Sequence, residues 1–205
     1  MIDLHLHTTY SDGADSLIDV LKKAETLKLE YISITDHDTC NGYNELKKLD
    51  VKKYYTGKII PGVEIKCGYE SNLIEILGYN VDTDVINKYM DKYHETNSKE
   101  KLQQKYFDIQ YETCIKKGLV MSKKEDVEFN NKTDWASIKI YEEIKKHEEN
   151  REKLPEDLWA DFTTFSKKYC GDVNSEFHID KTKDYPTTQE AVDLVKSAGG
   201  LVFLP

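Results

Sequence analysis

Short apolar runs alternate with helical apolar patterns over the first 81 residues, and this alternation limits the possible folds more than any other feature of the chain. Ile2 to Leu6 reads as a strand. Ser16 is a candidate helix N-cap with Asp19 three residues on, and Leu17, Val20, Leu21 and Ala24 then recur on one helix face. Tyr31-Ile32-Ser33-Ile34-Thr35 reads as a second strand, Tyr43 to Leu49 as a short helix, Ile59 to Val63 as a third strand and Leu73 to Tyr79 as a fourth. The pattern resumes near the end. Thr187 and Glu190 form a capping box, Ala191, Leu194, Val195 and Ala198 make an apolar face, and Gly199-Gly200 ends the helix before a fifth strand, Leu201 to Leu204. Strands that alternate with helices predict a parallel sheet or barrel, in which sites collect at the C-terminal ends of the strands.

Glycine divides the chain. Residues 1–81 hold six of the ten glycines, whereas residues 82–186 hold only Gly118 and Gly171. The expected organisation is therefore an α/β portion made of 1–81 and 187–205, interrupted by a helical insertion over 82–186. The four cysteines, Cys40, Cys67, Cys114 and Cys170, are widely and irregularly spaced, which disfavours a disulfide scaffold or a thiolate zinc site. No apolar run approaches the ~18–20 residues of a membrane span, and the N-terminus has no basic segment followed by an apolar one. A cytoplasmic protein with no membrane partner is expected. The net charge of −9 disfavours nucleic acid as a partner held by a positive field.

His5-Leu6-His7 closes the first strand. Residues two apart on a strand face the same side, so the two imidazoles can share a metal ion. Asp12 follows in the turn Ser11-Asp12-Gly13. By itself this is equally a solvated strand end with a turn aspartate. Thr35-Asp36-His37-Asp38 closes the second strand, where either aspartate could instead cap a helix. Pro61-Gly62-Val63-Glu64 puts a carboxylate at the end of the third, where it could instead face water. Three consecutive strand ends carrying His5, His7, Asp12, His37 and Glu64 make a joint metal site the better reading, with nitrogen and oxygen donors suited to Zn²⁺, Mn²⁺ or Fe²⁺.

In order and spacing, His5-x-His7-x4-Asp12-Gly13, Thr35-Asp36-His37 and Pro61-Gly62-Val63-Glu64 resemble the opening motifs of the polymerase and histidinol phosphatase (PHP) family of metal-dependent phosphoesterases. Leu77-Gly78-Tyr79 resembles the next landmark. The resemblance is strong over 1–81, moderate over 186–205 and weak over the insertion. It implies a distorted seven-stranded TIM-like (β/α)7 barrel, incomplete in this chain, with an all-helical insertion. It also implies up to three divalent ions that activate a water against a phosphoester. His5 and His7 would hold the first ion, Glu64 would bridge the first and second, and Asp12 and His37 would serve the third. Asp12, His37 and Glu64 would then stand closest to the chemistry, with Asp12 or His37 protonating the leaving oxygen.

There are two departures from that pattern. Glu75 stands directly before Ile76-Leu77-Gly78, where the family usually has a histidine. A carboxylate there either ligates a second ion, shifting preference toward Mn²⁺ or Mg²⁺, or leaves that ion weak or absent. The chain also stops at Pro205, before the later ligands and strands of the pattern, so a C-terminally truncated domain is expected. His94, His147 and His178 lie in the insertion and are expected to be ordinary surface histidines, and the fourteen tyrosines core-edge residues. The sole arginine, Arg151, does not align with a phosphate-binding role. The expected activity is hydrolysis of a small, nucleotide-like phosphate ester. The alternatives are a histidinol-phosphate phosphatase, or a metal-binding module without turnover in this truncated form.

Overall fold

A computed structural model describes all 205 residues. In chain order the main elements are β1 (Ile2–Leu6), α1 (Leu17–Thr26), β2 (Tyr31–Ile34), α2 (Asn41–Leu46), β3 (Lys58–Ile59), β4 (Gly62–Tyr69), β5 (Asn72–Tyr79), α3 (Thr83–Asn97), α4 (Lys99–Lys116), α5 (Ala136–Lys146), α6 (Glu156–Ala160), α7 (Phe162–Thr164), α8 (Thr188–Ser197) and β6 (Leu201–Phe203). They form two compact units, Met1–Glu95 with Lys181–Pro205, and Thr96–Asp180. No helix is long and apolar enough to cross a membrane.

In the first unit, β1, β2 and β3 form a parallel sheet in that order. The β1–β2 register slips between Asp3 and Leu6, an irregularity that re-aims the residues after it. α1 starts where its cap predicts, with Ser16 Oγ accepting from the Asp19 N–H, and it buries Leu17, Val20, Leu21 and Ala24. Each fully buried Leu or Val stabilises the unit by about 1.5–3 kcal/mol. The Tyr43 hydroxyl ties the ends of β2 and β3 to the start of β4. It donates to the Ile34 carbonyl (2.8 Å) and accepts from the Gly62 N–H (2.9 Å).

The second sheet, β4-β5-β6, corrects the expectation of parallel strands throughout, because both of its pairings are antiparallel. A two-residue connection, Glu70-Ser71, joins β4 to β5, and so short a link permits only antiparallel pairing. The run from Ile59 to Val63 is not one strand. β3 stops at Ile59, Pro61 offers no N–H to continue a ladder, and β4 begins at Gly62. Glu64 therefore lies near the beginning of a long strand rather than at the end of a short one. The two three-stranded sheets do not close into a barrel. What the chain has is a mixed α/β fold. α8 carries the complete capping box of Thr187 and Glu190, and its Ala191, Leu194 and Val195 join Val63, Ile65 and Ile76 in the core.

The second unit contains helices and loops and no strand. Phe107 stacks on Phe129 at 4.4 Å, and Tyr141 stacks on Phe165 at 5.3 Å. Two buried polar side chains hold the segment after α4. Asn150 accepts from the Val120 N–H and donates to the Val120 and Ile144 carbonyls. Glu143 accepts from the Ser122 N–H at 2.9 Å and from Lys146 Nζ at 2.8 Å, and His147 Nε2 lies 3.3 Å from it.

Candidate metal centre

The first unit positions its histidines with backbone pairing. His5 lies in β1 and His7 just beyond it. His37 follows β2, and a parallel bridge sets it beside Glu64 in β4. The Asp38 N–H donates to the Glu64 carbonyl (2.8 Å), and the Glu64 N–H donates to the Asp36 carbonyl (3.3 Å). Asp38 takes a left-handed backbone conformation (φ 53°) at this junction, which aspartate tolerates better than most residues.

Three ring nitrogens converge on one oxygen. Glu64 Oε2 lies 3.0 Å from His5 Nε2, 3.0 Å from His7 Nε2 and 3.4 Å from His37 Nδ1. The Glu64 side chain is only 4% exposed. His37 Nδ1 is buried and makes no hydrogen bond. Asp12 meets the far sides of two rings, with Oδ1 3.1 Å from His7 Nδ1 and Oδ2 3.5 Å from His37 Nε2. Both nitrogens of His7 and of His37 thus face carboxylates. A neutral imidazole has one N–H to give, so this array leaves lone pairs aimed at a buried anion and suits a shared cation. Two sets of donor atoms are close enough to hold an ion, His5, His7 and Glu64, and His7, Asp12 and His37. Mixed imidazole and carboxylate donors fit first-row divalent ions.

The sequence matches the PHP domain family over residues 3–197. The chain belongs to the PHP domain family. Its relatives include the 5'-3' exoribonuclease of Haemophilus influenzae, 26% identical over 202 residues, a match that spans 98% of this chain and 67% of that one. The 5'-3' exoribonuclease Rnm of Salmonella typhimurium is 35% identical over 80 residues, 39% of this chain and only 27% of that relative. Among solved structures, a protein assigned as a metal-dependent phosphoesterase from Bifidobacterium adolescentis superposes with a TM-score of 0.55 at 21% identity, covering 98% of this chain and 65% of the other. That likeness extends to the fold alone.

In this PHP chain the loop that presents Asp12 is braced from below. The buried Asp36 carboxylate accepts from the Thr8 N–H (2.7 Å), the Thr8 hydroxyl (2.7 Å) and the Ser11 hydroxyl (2.6 Å). It does not cap α2, whose cap residue, Cys40, makes no side-chain capping bond. Gly13 is required by the tight return of the loop, because a Cβ there would lie 2.4 Å from the His7 carbonyl oxygen. Asp38 stands behind His37. Burial pushes its carboxyl up to about 6, against the opposing hydrogen bond from the Lys66 N–H.

Glu75 lies outside both donor sets of the PHP site. Its Oε1 is 3.1 Å from Lys66 Nζ and 3.8 Å from His37 Nδ1. Burial alone would lower the Lys66 pKa, but the bond and charge of Glu75 raise it overall. Motif reading missed Lys66, because nothing local marks it. The signal lay in the β4–β5 register, which sets Lys66 directly opposite Glu75. His94, His147 and His178 do not reach this cluster. All three are partly buried rather than exposed, and His147 and His178 bond within the second unit, to Glu143 and to the Cys170 carbonyl. Arg151 pairs with Glu148. All four cysteines are free.

Proposed function

We propose that this PHP chain is a divalent-metal-dependent phosphoesterase that hydrolyses a small, nucleotide-like phosphate ester. The observation that carries the reading is the convergence of three ring nitrogens on Glu64 Oε2, with Asp12 on the far side of two of those rings. His5, His7 and Glu64 would hold one ion, and Asp12 and His37 another. His7 can give its lone pair to only one of them, so with Nε2 on the Glu64 side its Nδ1–H is left to donate to Asp12. Mn²⁺, Zn²⁺ or Fe²⁺ bound there would neutralise phosphate charge, lower the pKa of water and clamp the attacking and leaving oxygens.

The chain's own residues supply orientation. The backbone bridge to His37 fixes the Cα of Glu64 beside the histidines, and burial of the side chain holds its carboxylate among them. Asp12, with its side chain 68% exposed, orients the His7 and His37 rings from the open side of the cluster, its Oδ2 3.5 Å from His37 Nε2. The net charge of −9 supports a compact phosphate ester over a long polyanion.

The test is elemental analysis of protein refilled with Mn²⁺, joined to hydrolysis of an aryl phosphate by the chain and by His7→Ala. Stoichiometric metal and a loss of more than about 100-fold in the variant are expected. Equal rates, or no bound metal, would refute the reading. The exoribonuclease relatives favour a second reading, in which the nucleotide removed is the 5' end of an RNA. A 5'-phosphorylated oligoribonucleotide hydrolysed faster than a mononucleotide would select it.

A further inference from the structure

Glu64 and Lys66 are two apart on β4, and Glu75 is the residue directly across from Lys66 on β5. Alternation on a strand and register across a pair put all three side chains on one face of the sheet. Two acids and one ammonium therefore share the floor beside His37. The acids have different partners. Glu64 has three imidazole nitrogens, whereas Glu75 has Lys66 Nζ at 3.1 Å and reaches no imidazole nearer than His37 Nδ1 at 3.8 Å. Lys66 is held at both ends. Its backbone N–H donates to Asp38 Oδ1 at 2.9 Å, and its side chain, 35% exposed, ends on Glu75.

We propose that Glu75 holds Lys66 rather than a metal ion, and that the Lys66 ammonium is a protein-supplied cation that receives the substrate phosphate at the edge of the metal centre. A carboxylate oxygen already bonded to an ammonium is a poor ligand for a nearby dication, because the two cations repel at close range. An ammonium has three N–H donors and Glu75 uses one, which leaves donors for the oxygens of a phosphate monoester. Glu75 is thus a positioning residue, acting through Lys66. The inference deepens the metal-dependent reading and rests on it.

The experiment measures Mn²⁺ uptake by equilibrium dialysis, and inorganic phosphate binding to the Mn²⁺-loaded chain. It compares the wild type with Glu75→Gln, Glu64→Gln, Lys66→Met and Lys66→Arg, each checked for native circular dichroism. Glu75→Gln is expected to take up as many Mn²⁺ equivalents as the wild type, and Glu64→Gln fewer. Lys66→Met is expected to keep its Mn²⁺ and to weaken phosphate binding and raise KM by about tenfold, with Lys66→Arg recovering most of the loss. A lost equivalent of Mn²⁺ in Glu75→Gln, or phosphate binding undiminished in Lys66→Met, overturns the inference while leaving the metal-dependent reading intact. A wild type that takes up no Mn²⁺ overturns both.

Discussion

Each unit of this chain buries one glutamate beside histidine, and the two are built in opposite ways. Glu143 in the second unit has its side chain 1% exposed, and donors that are parts of the chain itself meet it. These are the Lys146 ammonium, the Ser122 N–H and the His147 ring. Glu64 in the first unit is nearly as buried, but ring nitrogens crowd a single oxygen, and neither a lysine nor a backbone N–H bonds it. A buried anion is tolerated only when paired. Glu143 is closed by the protein and works as a brace. On the proposed reading, Glu64 is left for a metal ion. Burial and a neighbouring histidine are common to both carboxylates, and the donors around them are what differ.

Removing the charge of each carboxylate in turn separates the two roles. Glu64→Gln is expected to lose more than about 100-fold in hydrolysis and most of the metal-induced rise in Tm, with little change in apo stability. Glu143→Gln should keep its metal uptake and lose about 3 kcal/mol of stability, because Lys146 and the Ser122 N–H lose a charged acceptor. Calorimetry with and without Mn²⁺ reads both. Destabilisation by Glu64→Gln in the apo protein equal to that of Glu143→Gln would show that the two carboxylates are the same kind of structural group.

The second unit also carries a pH signature. Burial alone would raise the Glu143 pKa, but the bonds from Lys146, Ser122 and His147 outweigh it and hold the carboxyl at about 2, against an ordinary 4.5. Between those values the unfolded chain binds the proton and the folded one does not. The stability from this group is therefore fully present above pH 4.5 and drains away as the pH falls toward 2, by on the order of 3 kcal/mol. Urea midpoints followed from pH 6 to pH 2.5 should fall more steeply in the wild type than in Glu143→Gln. Parallel curves would show that Glu143 is not the group responsible.

Much of this was legible in the sequence where the cause is local. Ser16 and Thr187 cap helices through residues three positions away, and both caps form. His5, His7, His37 and Glu64 were legible as a set because each lies at or near the end of an apolar run, in or beside β1, β2 and β4. The antiparallel hairpin was not, since Ile59 to Val63 reads as one apolar run and only the missing N–H of Pro61 splits it. That misreading also set Glu64 at the end of a strand instead of near its beginning. Lys66 escaped because its meaning depends on cross-strand register. Asp36 escaped because its partners, Thr8 and Ser11, lie 28 and 25 residues away. Pairings set by tertiary structure leave no trace in spacing.

Asp36 supplies the smallest effect and refines the comparison. It is a third buried carboxylate, closed like Glu143 by protein donors, yet it stands under the loop that presents Asp12. A brace placed there should act on the site at one remove. Thr8→Val removes the hydroxyl that donates to Asp36 Oδ2 and keeps nearly the same volume, at a cost of about 1 kcal/mol in stability. The backbone N–H of Thr8 and the Ser11 hydroxyl still hold the other oxygen, so the loop loosens without collapsing. Asp12 then loses part of its orientation toward His7 and His37, and kcat should fall by about tenfold with KM little changed. Thr8→Ser keeps the hydroxyl and should retain the wild-type rate. If Thr8→Val loses stability but keeps its full rate, the brace under Asp12 is structural only, and Asp36 belongs with Glu143 rather than with the candidate metal centre.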